Sequence, residues 1–200
     1  MTWETEDKRQ QILAAATRVF AARGYHQAKI ADIAAAAGVG KGTVYEYYAS
    51  KKDLFQQMLL HLFTSYLAYL KKISAEQTGL EVFLQRLLRS SLDYFWENRE
   101  IAGIIMSTPP PLDSRTQALL IKVKAEIDQC LSSHLQAAIE RGEMRPLPPG
   151  LLAAMLTGLT AALNHYLALN QQFSATEKEP DLDAIVVQAV DFIMNGVAIR

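Results

Sequence analysis

The sequence predicts an all-α fold of about nine helices. Apolar residues recur at intervals of three and four along almost the whole chain, which is the period of one helical face. Glycine and proline interrupt that period at Gly24, Gly38, Thr78-Gly79, Pro109-Pro110-Pro111, between Gly142 and Gly150, and at Glu177–Pro180. No stretch alternates apolar and polar residues as a half-buried strand does, and no segment repeats. With 200 residues, 50% of them hydrophobic, the chain can bury a sizeable core in one domain or two small ones.

Residues 1–7 are polar and read as a frayed end. The first helix runs from about Asp7 to Arg23, with Ile12, Leu13, Ala16, Val19 and Phe20 as its apolar stripe and Gly24 as the terminating glycine. Tyr25–Lys29 connects to a helix on which Ile30, Ile33, Ala34 and Ala37 share one face. Gly38 ends that helix and Val39 follows as an apolar plug. A seven-residue helix begins near Lys41 and turns Val44 and Tyr48 inward. That leaves Lys41, Gly42, Thr43, Tyr45, Glu46 and Tyr47 near or on the outer face. Two aromatics, a lysine and a threonine facing outward make an unusual solvent face, and one that suits a DNA major groove.

Ser50-Lys51-Lys52-Asp53 has the pattern of a capping box. The helix it opens reaches about Ile73 and carries Leu54, Phe55, Met58, Leu59, Leu62, Phe63, Tyr66 and Leu70 in register. A fifth helix spans Leu80–Glu97, with Phe83, Leu84, Leu87, Leu88, Leu92 and Phe95 inward. A short one covers about Ile101–Ser107 before three prolines make a stiff connector. The last three helices are expected over Ser114–Arg141, Leu151–Phe173 and Asp181–Ala198.

The net charge is −1, so the chain as a whole is no generic polyanion binder. From Lys8 to Lys52, however, eight Lys and Arg stand against two acids. A basic N-terminal block on a mildly acidic body points to a local anionic partner. A single cysteine rules out an intrachain disulfide framework and fits a reducing cytosol. MTWETEDKRQ has no apolar signal core. Leu147–Thr176 contains no charged residue, and Leu151–Leu169 is just long enough for a bilayer. Thr157, Thr160, Asn164 and His165 favour a buried interface helix instead, so no membrane partner is expected.

Ile12, Ala15, Ala16, Phe20, Gly24-Tyr25, Asp32-Ile33-Ala34, Ala37-Gly38-Val39, Lys41-Gly42-Thr43-Val44-Tyr45, Tyr48, Ser50-Lys51 and Asp53-Leu54 stand in a specific order and spacing. Through them the N-terminal third resembles the TetR/AcrR family of bacterial transcriptional repressors. The resemblance implies a helix-turn-helix DNA-binding domain over residues 1–50. It also implies a helical effector-binding and dimerisation domain over 51–200, with the helix from Lys51 linking the two. It places DNA contacts at Lys29, Lys41, Gly42, Thr43, Tyr45, Glu46, Tyr47 and Lys51, the last as a phosphate contact. Ala28, Lys29 and Gly40 stand where the family often has hydroxyl residues, so the phosphate grip is expected to lean on lysines and backbone amides. Glu46 reads either as an acceptor for a cytosine amino group or as a charge that repels the wrong approach.

The resemblance further implies that the last two helices pair with their copies in a homodimer, with Leu151, Met155, Gly158, Ala162, Ile185, Ala189 and Ile193 at the seam. A cavity among the helices from Lys51 to Phe173 is implied to take a small effector. Phe63, Tyr66, Phe83, Tyr94, Met106, Cys130, His134, Met155 and His165 are its candidates, and they favour a largely apolar molecule held by one or two polar groups. Each has a plainer reading: the aromatics and methionines as core, and His165 as an interface polar group. Cys130 and His134, one turn apart, read either as packing residues or as a thiol sensor or metal pair. No further His or Cys stands at ligand spacing, so no metal and no cofactor is expected.

The expected function is therefore a cytoplasmic, ligand-responsive dimeric repressor that binds a palindromic double-stranded operator. An activator of the same fold is the alternative. An all-α enzyme finds no nucleophile motif, phosphate loop or metal cluster to support it, and a membrane-anchored regulator would rest on the uncharged helix alone.

Overall fold

The structure is a computed structural model and describes residues 3–76, 78–97, 112–173 and 180–197. Those residues form eight α-helices and no strand. They are α1 (Trp3–Gln27), α2 (Ile30–Ala36), α3 (Lys41–Tyr47), α4 (Lys51–Ala75), α5 (Leu80–Glu97), α6 (Ser114–Glu140), α7 (Pro149–Phe173) and α8 (Leu182–Val197). The helix expected over residues 101–107, Met106 within it and the three prolines lie outside the described residues.

The described residues pack as two units, those up to Thr64 with Leu112–Leu120, and those from Ser65 to Glu97 with those from Ile121 onward. The first takes more than residues 1–50 because the opening turns of α4 are apolar on one side. Leu54, Phe55, Met58 and Leu59 join Ile12, Phe20, Ile33, Val44 and Tyr48 in one buried cluster. Phe55 anchors it, edge-on to Phe20 with ring centroids 5.2 Å apart and to Tyr25 at 5.0 Å.

Two glycines set the path through this unit. Gly24, with φ 70° and ψ 163°, breaks the helical course of α1 before its last residues. Gly38, with φ 65°, closes α2. There the Gly38 N–H donates to the Ala35 carbonyl at 3.2 Å and the Val39 N–H to the Ala34 carbonyl at 3.0 Å. These are the paired bonds of a Schellman end. At α4 the Ser50 Oγ accepts the Asp53 N–H at 3.1 Å, while the Asp53 carboxylate accepts the N–H of Ala49 at 2.9 Å. The capping box is thus reciprocal, with its return bond one residue further upstream than expected.

The first turn of α6 also belongs to this unit. Asp113 caps it by accepting the Thr116 N–H at 2.7 Å. Gln56, only 3% exposed, meets the same turn: its amide donates to the Asp113 carboxylate at 2.8 Å and accepts the Asp113 N–H at 3.0 Å.

In the second unit α5 is the central helix, burying Leu80, Phe83, Leu84, Leu87, Leu88, Leu92 and Phe95 against α7 and α8. α6 contributes Val123, Ile127, Leu131, Leu135 and Ala138 to that core. α7 contributes Leu152, Ala153, Leu156 and Leu167, and α8 contributes Leu182, Val186, Ala189 and Val190.

Candidate nucleic-acid interface

α3 is short, so its two faces separate cleanly. Val44 is fully buried and Tyr48 is 1% exposed, which seats the helix on the core. The Tyr48 hydroxyl donates to the Arg9 carbonyl at 3.2 Å, and the Arg9 guanidinium lies 5.5 Å from the Tyr48 ring centre. Burial, more than the nearby charges, pushes the Tyr48 phenol up to about 12. The opposite face carries Lys41, Gly42, Tyr45 and Glu46, all exposed, with Thr43 half-buried at its edge. The Lys41 ammonium lies 5.9 Å from the Tyr45 ring centre.

A Cβ built on Gly42 would meet no protein atom within 4 Å. The fold does not require glycine there. What the residue offers is bare backbone at a helix N-terminus, where amides face outward and a phosphate can come close. Tyr47, expected near or on the outer face, is half-buried against the core cluster, on the flank of α3 next to Val44.

The basic residues counted along the sequence sort into different roles. Arg23 pairs with Asp32 at 2.5 Å, and Arg18 donates to the Ala36 carbonyl at 3.4 Å. Lys29 is exposed at the start of α2, where its backbone N–H donates to Asp32 Oδ2 at 3.3 Å. Lys52 and Lys41 are exposed. Lys51, expected as a phosphate contact, carries its ammonium against the protein's own backbone. Its ammonium turns inward and donates to the carbonyls of Tyr25, His26 and Ala28 at 2.8, 3.1 and 3.0 Å.

The candidate effector residues do not share one cavity. A groove of roughly 680 Å³ in the second unit is lined by Tyr66, Tyr69, Arg89, Tyr94, Val186 and Val187, among others. Arg89 crosses it, holding Asp93 at 2.8 Å and also Asp183. Tyr66 is pushed up to about 12, first by burial and then by Tyr69 and Cys130 nearby. A second groove of about 590 Å³ takes Lys71, Ser74, Glu126, Cys130, His134 and Arg141 into its wall. The Cys130 Sγ lies 3.5 Å from the Ser74 hydroxyl.

Phe83 lines neither groove. It is fully buried and stacked on His134 with centroids 3.6 Å apart. Burial, aided by the Arg141 charge, holds the His134 imidazole below its ordinary value. Phe63 is 42% exposed, Met155 is 61% exposed and His165 points outward. Asn164 is the one that reaches inward, donating to Ser91 Oγ at 3.4 Å. Sequence reasoning missed Tyr69, Arg89 and Asp183. The i, i+4 spacing of Arg89 and Asp93 was the available signal for the arginine.

Leu151, Met155, Gly158 and Ala162 recur along one face of α7 and all four are exposed. Val187 and Phe192 on α8 are also exposed, at 61% and 72%. Ile185 and Ile193 are half-buried and Ala189 is buried, so these three face the protein's own core more than the outside. Residues 149–168 are also long and apolar enough to cross a membrane. Among the described residues no group of three or more His, Cys, Asp or Glu is placed to hold a metal ion.

Residues 12–58, from within α1 through α2 and α3 to the start of α4, match the family model of bacterial regulatory proteins, tetR family. The chain is 28% identical over 171 residues to the HTH-type transcriptional regulator RutR of Escherichia coli K12, covering 84% of this chain and 77% of that one. It is 25% identical over 177 residues to the HTH-type transcriptional regulator HbdR of an Aromatoleum strain, covering 86% of this chain and 76% of the relative. Its fold is similar to the transcriptional regulator FadR of Bacillus subtilis, solved in complex with stearoyl-CoA. That similarity has a TM-score of 0.75 and 21% identity over 94% of this chain and 98% of the other.

Proposed function

This chain belongs to the tetR family of bacterial regulatory proteins, and we propose that within it the protein works as a dimeric cytoplasmic repressor, released from a palindromic operator by a small amphipathic effector. The observation that carries the DNA-binding reading is the split surface of α3. Val44 and Tyr48 fasten the helix, while Lys41, Gly42, Tyr45 and Glu46 stand open on the far side. Lysine and backbone amides at the helix start suit phosphate, and the tyrosine and glutamate beyond them suit base edges. Thr43 at the rim suits a phosphate or a thymine methyl, and Lys29 at the start of α2 suits a flanking phosphate.

A helix of seven residues is about 10 Å long and reads only a few base pairs. Useful specificity therefore calls for two copies on an inverted repeat. The exposed stripe Leu151, Met155, Gly158 and Ala162 supports that reading, since its small residues let a second helix approach closely. The same stripe is apolar enough for lipid. Recovery of the protein in the membrane fraction of a lysate would contradict the dimer assignment.

For the effector, α4 is the relevant element. Residues 51–64 pack with the DNA-binding helices, and the remainder gives Tyr66 and Tyr69 to one groove and Lys71 and Ser74 to the other. A molecule seated in either groove would bias the course of α4 and thereby the spacing of two recognition helices. The stearoyl-CoA bound to the structurally similar Bacillus subtilis regulator makes long-chain acyl-CoA the first compound to try. A rise in melting temperature together with release of DNA would support it, and a panel of acyl-CoAs that moves neither would count against it.

Mobility shifts test the core of the reading. Lys41→Ala and Tyr45→Ala are expected to lose operator binding while keeping the wild-type melting temperature. Variants that bind as well as the wild type would refute the assignment of α3. Placing the operator before a reporter separates repressor from activator by the sign of the response.

A further inference from the structure

We propose that Lys51 is a positioning residue that sets the seat of the DNA-reading helices and makes no phosphate contact. This rests on the DNA-binding role proposed above. An ammonium has three N–H donors. In Lys51 all three are spent within the protein, on the carbonyls of Tyr25 at 2.8 Å, His26 at 3.1 Å and Ala28 at 3.0 Å. The same ammonium lies 4.7 Å from the centre of the Tyr25 ring.

These carbonyls follow the break at Gly24 within α1, where the chain leaves its regular helical course just before the helix ends at Gln27. A cation at a helix C-terminus is favoured by the dipole, whereas one in the first turn of a helix is not. Lys51 opens α4, so its place is electrostatically poor for α4 and good for the end of α1. The bonds tie the start of one helix to the end of another. Tyr25, which supplies one carbonyl and the ring, also packs against Phe20 and Phe55.

The connector so gripped leads straight into α2. Ala28 is 1% exposed and Ile30 is 7% exposed. α2 packs against both α1 and α3. The angle at which α2 leaves the connector therefore governs where α3 stands. To reach a phosphate, Lys51 would abandon three carbonyls at once. Lys29, Lys41 and Lys52 are exposed and give up nothing comparable.

Three readings on Lys51→Met, with Lys41→Ala beside it, test this. The first uses no DNA. Amide exchange in residues 25–37 of Lys51→Met is expected to rise about tenfold, while residues 54–59 keep the wild-type rate. The second compares the duplex that the wild type selects from a random pool with a scrambled duplex of equal length. Affinity for the selected duplex is expected to fall about tenfold and that for the scrambled one to stay unchanged. The third is salt dependence, where the slope of log K against log[salt] is expected to match the wild type.

A phosphate contact would instead weaken both duplexes alike and lower the slope by about 0.9 per subunit, and that result overturns the proposal. So does unchanged exchange at residues 25–37, or an unchanged ratio of selected to scrambled affinity. Should Lys51→Met not fold, Lys51→Arg serves. A phosphate contact survives that change, whereas a planar guanidinium cannot aim three donors from one point at three converging carbonyls, so the ratio still falls. If the wild type selects no duplex, the DNA-binding reading fails, and the exchange comparison alone decides the clamp.

Discussion

Replacing Lys41 by alanine should change the salt dependence of DNA binding by a calculable amount. Lys41 opens α3, is exposed, and its ammonium lies 5.9 Å from the Tyr45 ring centre. An exposed cation–π contact is worth about 0.5–1 kcal/mol, so the variant should unfold within that margin of the wild type. On DNA each neutralised phosphate releases roughly 0.9 counterions. In a symmetric dimer the contact is lost twice, which lowers the slope of log K against log[salt] by about 1.8. At ~0.1 M salt that is a loss of about 60-fold, or ~2.4 kcal/mol, and the two proteins should converge as salt approaches ~1 M. Fluorescence anisotropy titrations at a series of potassium chloride concentrations give the slope. An unchanged slope would refute the phosphate assignment, and a drop of only about 0.9 would refute the two-fold arrangement.

Other consequences follow from the packing. Phe55→Ala removes the ring that meets both Phe20 and Tyr25, and at a fully buried site it should cost about 3–5 kcal/mol in denaturant unfolding; a loss under ~1 kcal/mol would contradict that core. Tyr48 ionises near 10 when unfolded and is pushed up to about 12 when folded, so its contribution is whole below pH 10 and drains away as pH rises from 10 to 12. Tyr48→Phe should flatten alkaline unfolding there by on the order of 2 kcal/mol, and a Tyr48→Phe curve parallel to the wild type's would contradict it. His134, held below 6.5 mainly by burial, contributes stability that is whole above pH 6.5 and is lost as pH falls below that value, so His134→Phe should melt less steeply with acid. Met155→Glu, on the exposed stripe of α7, should convert a dimer to monomer in sedimentation equilibrium without unfolding it.

The parts of the fold readable from sequence are those fixed by local rules. Gly38 ends α2 through its own backbone, Ser50 and Asp53 cap α4 through bonds within one turn, and α5 keeps its predicted limits because Gly79 breaks the chain just before it. The two inward residues of α3 follow from spacing alone. What escaped was set by neighbours distant in sequence. Lys51 looked like any basic residue at a helix start, and nothing local shows that Gly24 bends the chain so that three carbonyls converge on it. Tyr47 sits at the flank of a helical face, where one step of rotation decides between core and solvent. The effector residues were drawn as one cavity because periodicity marks a face as apolar without naming what covers it. Packing sends Tyr66 and Tyr94 to one groove, Cys130 and His134 to another, and Phe83 to the core.

The outer face of α3 is proposed to read DNA as one half of a two-fold pair. Selection of duplexes from a random pool by the purified wild-type protein, followed by sequencing, tests it most directly. Enrichment of an inverted repeat whose half-sites are a few base pairs long is expected, as is its loss when Tyr45→Ala is used for the selection. A pool that shows no shared sequence, or a single unrepeated one, would contradict it.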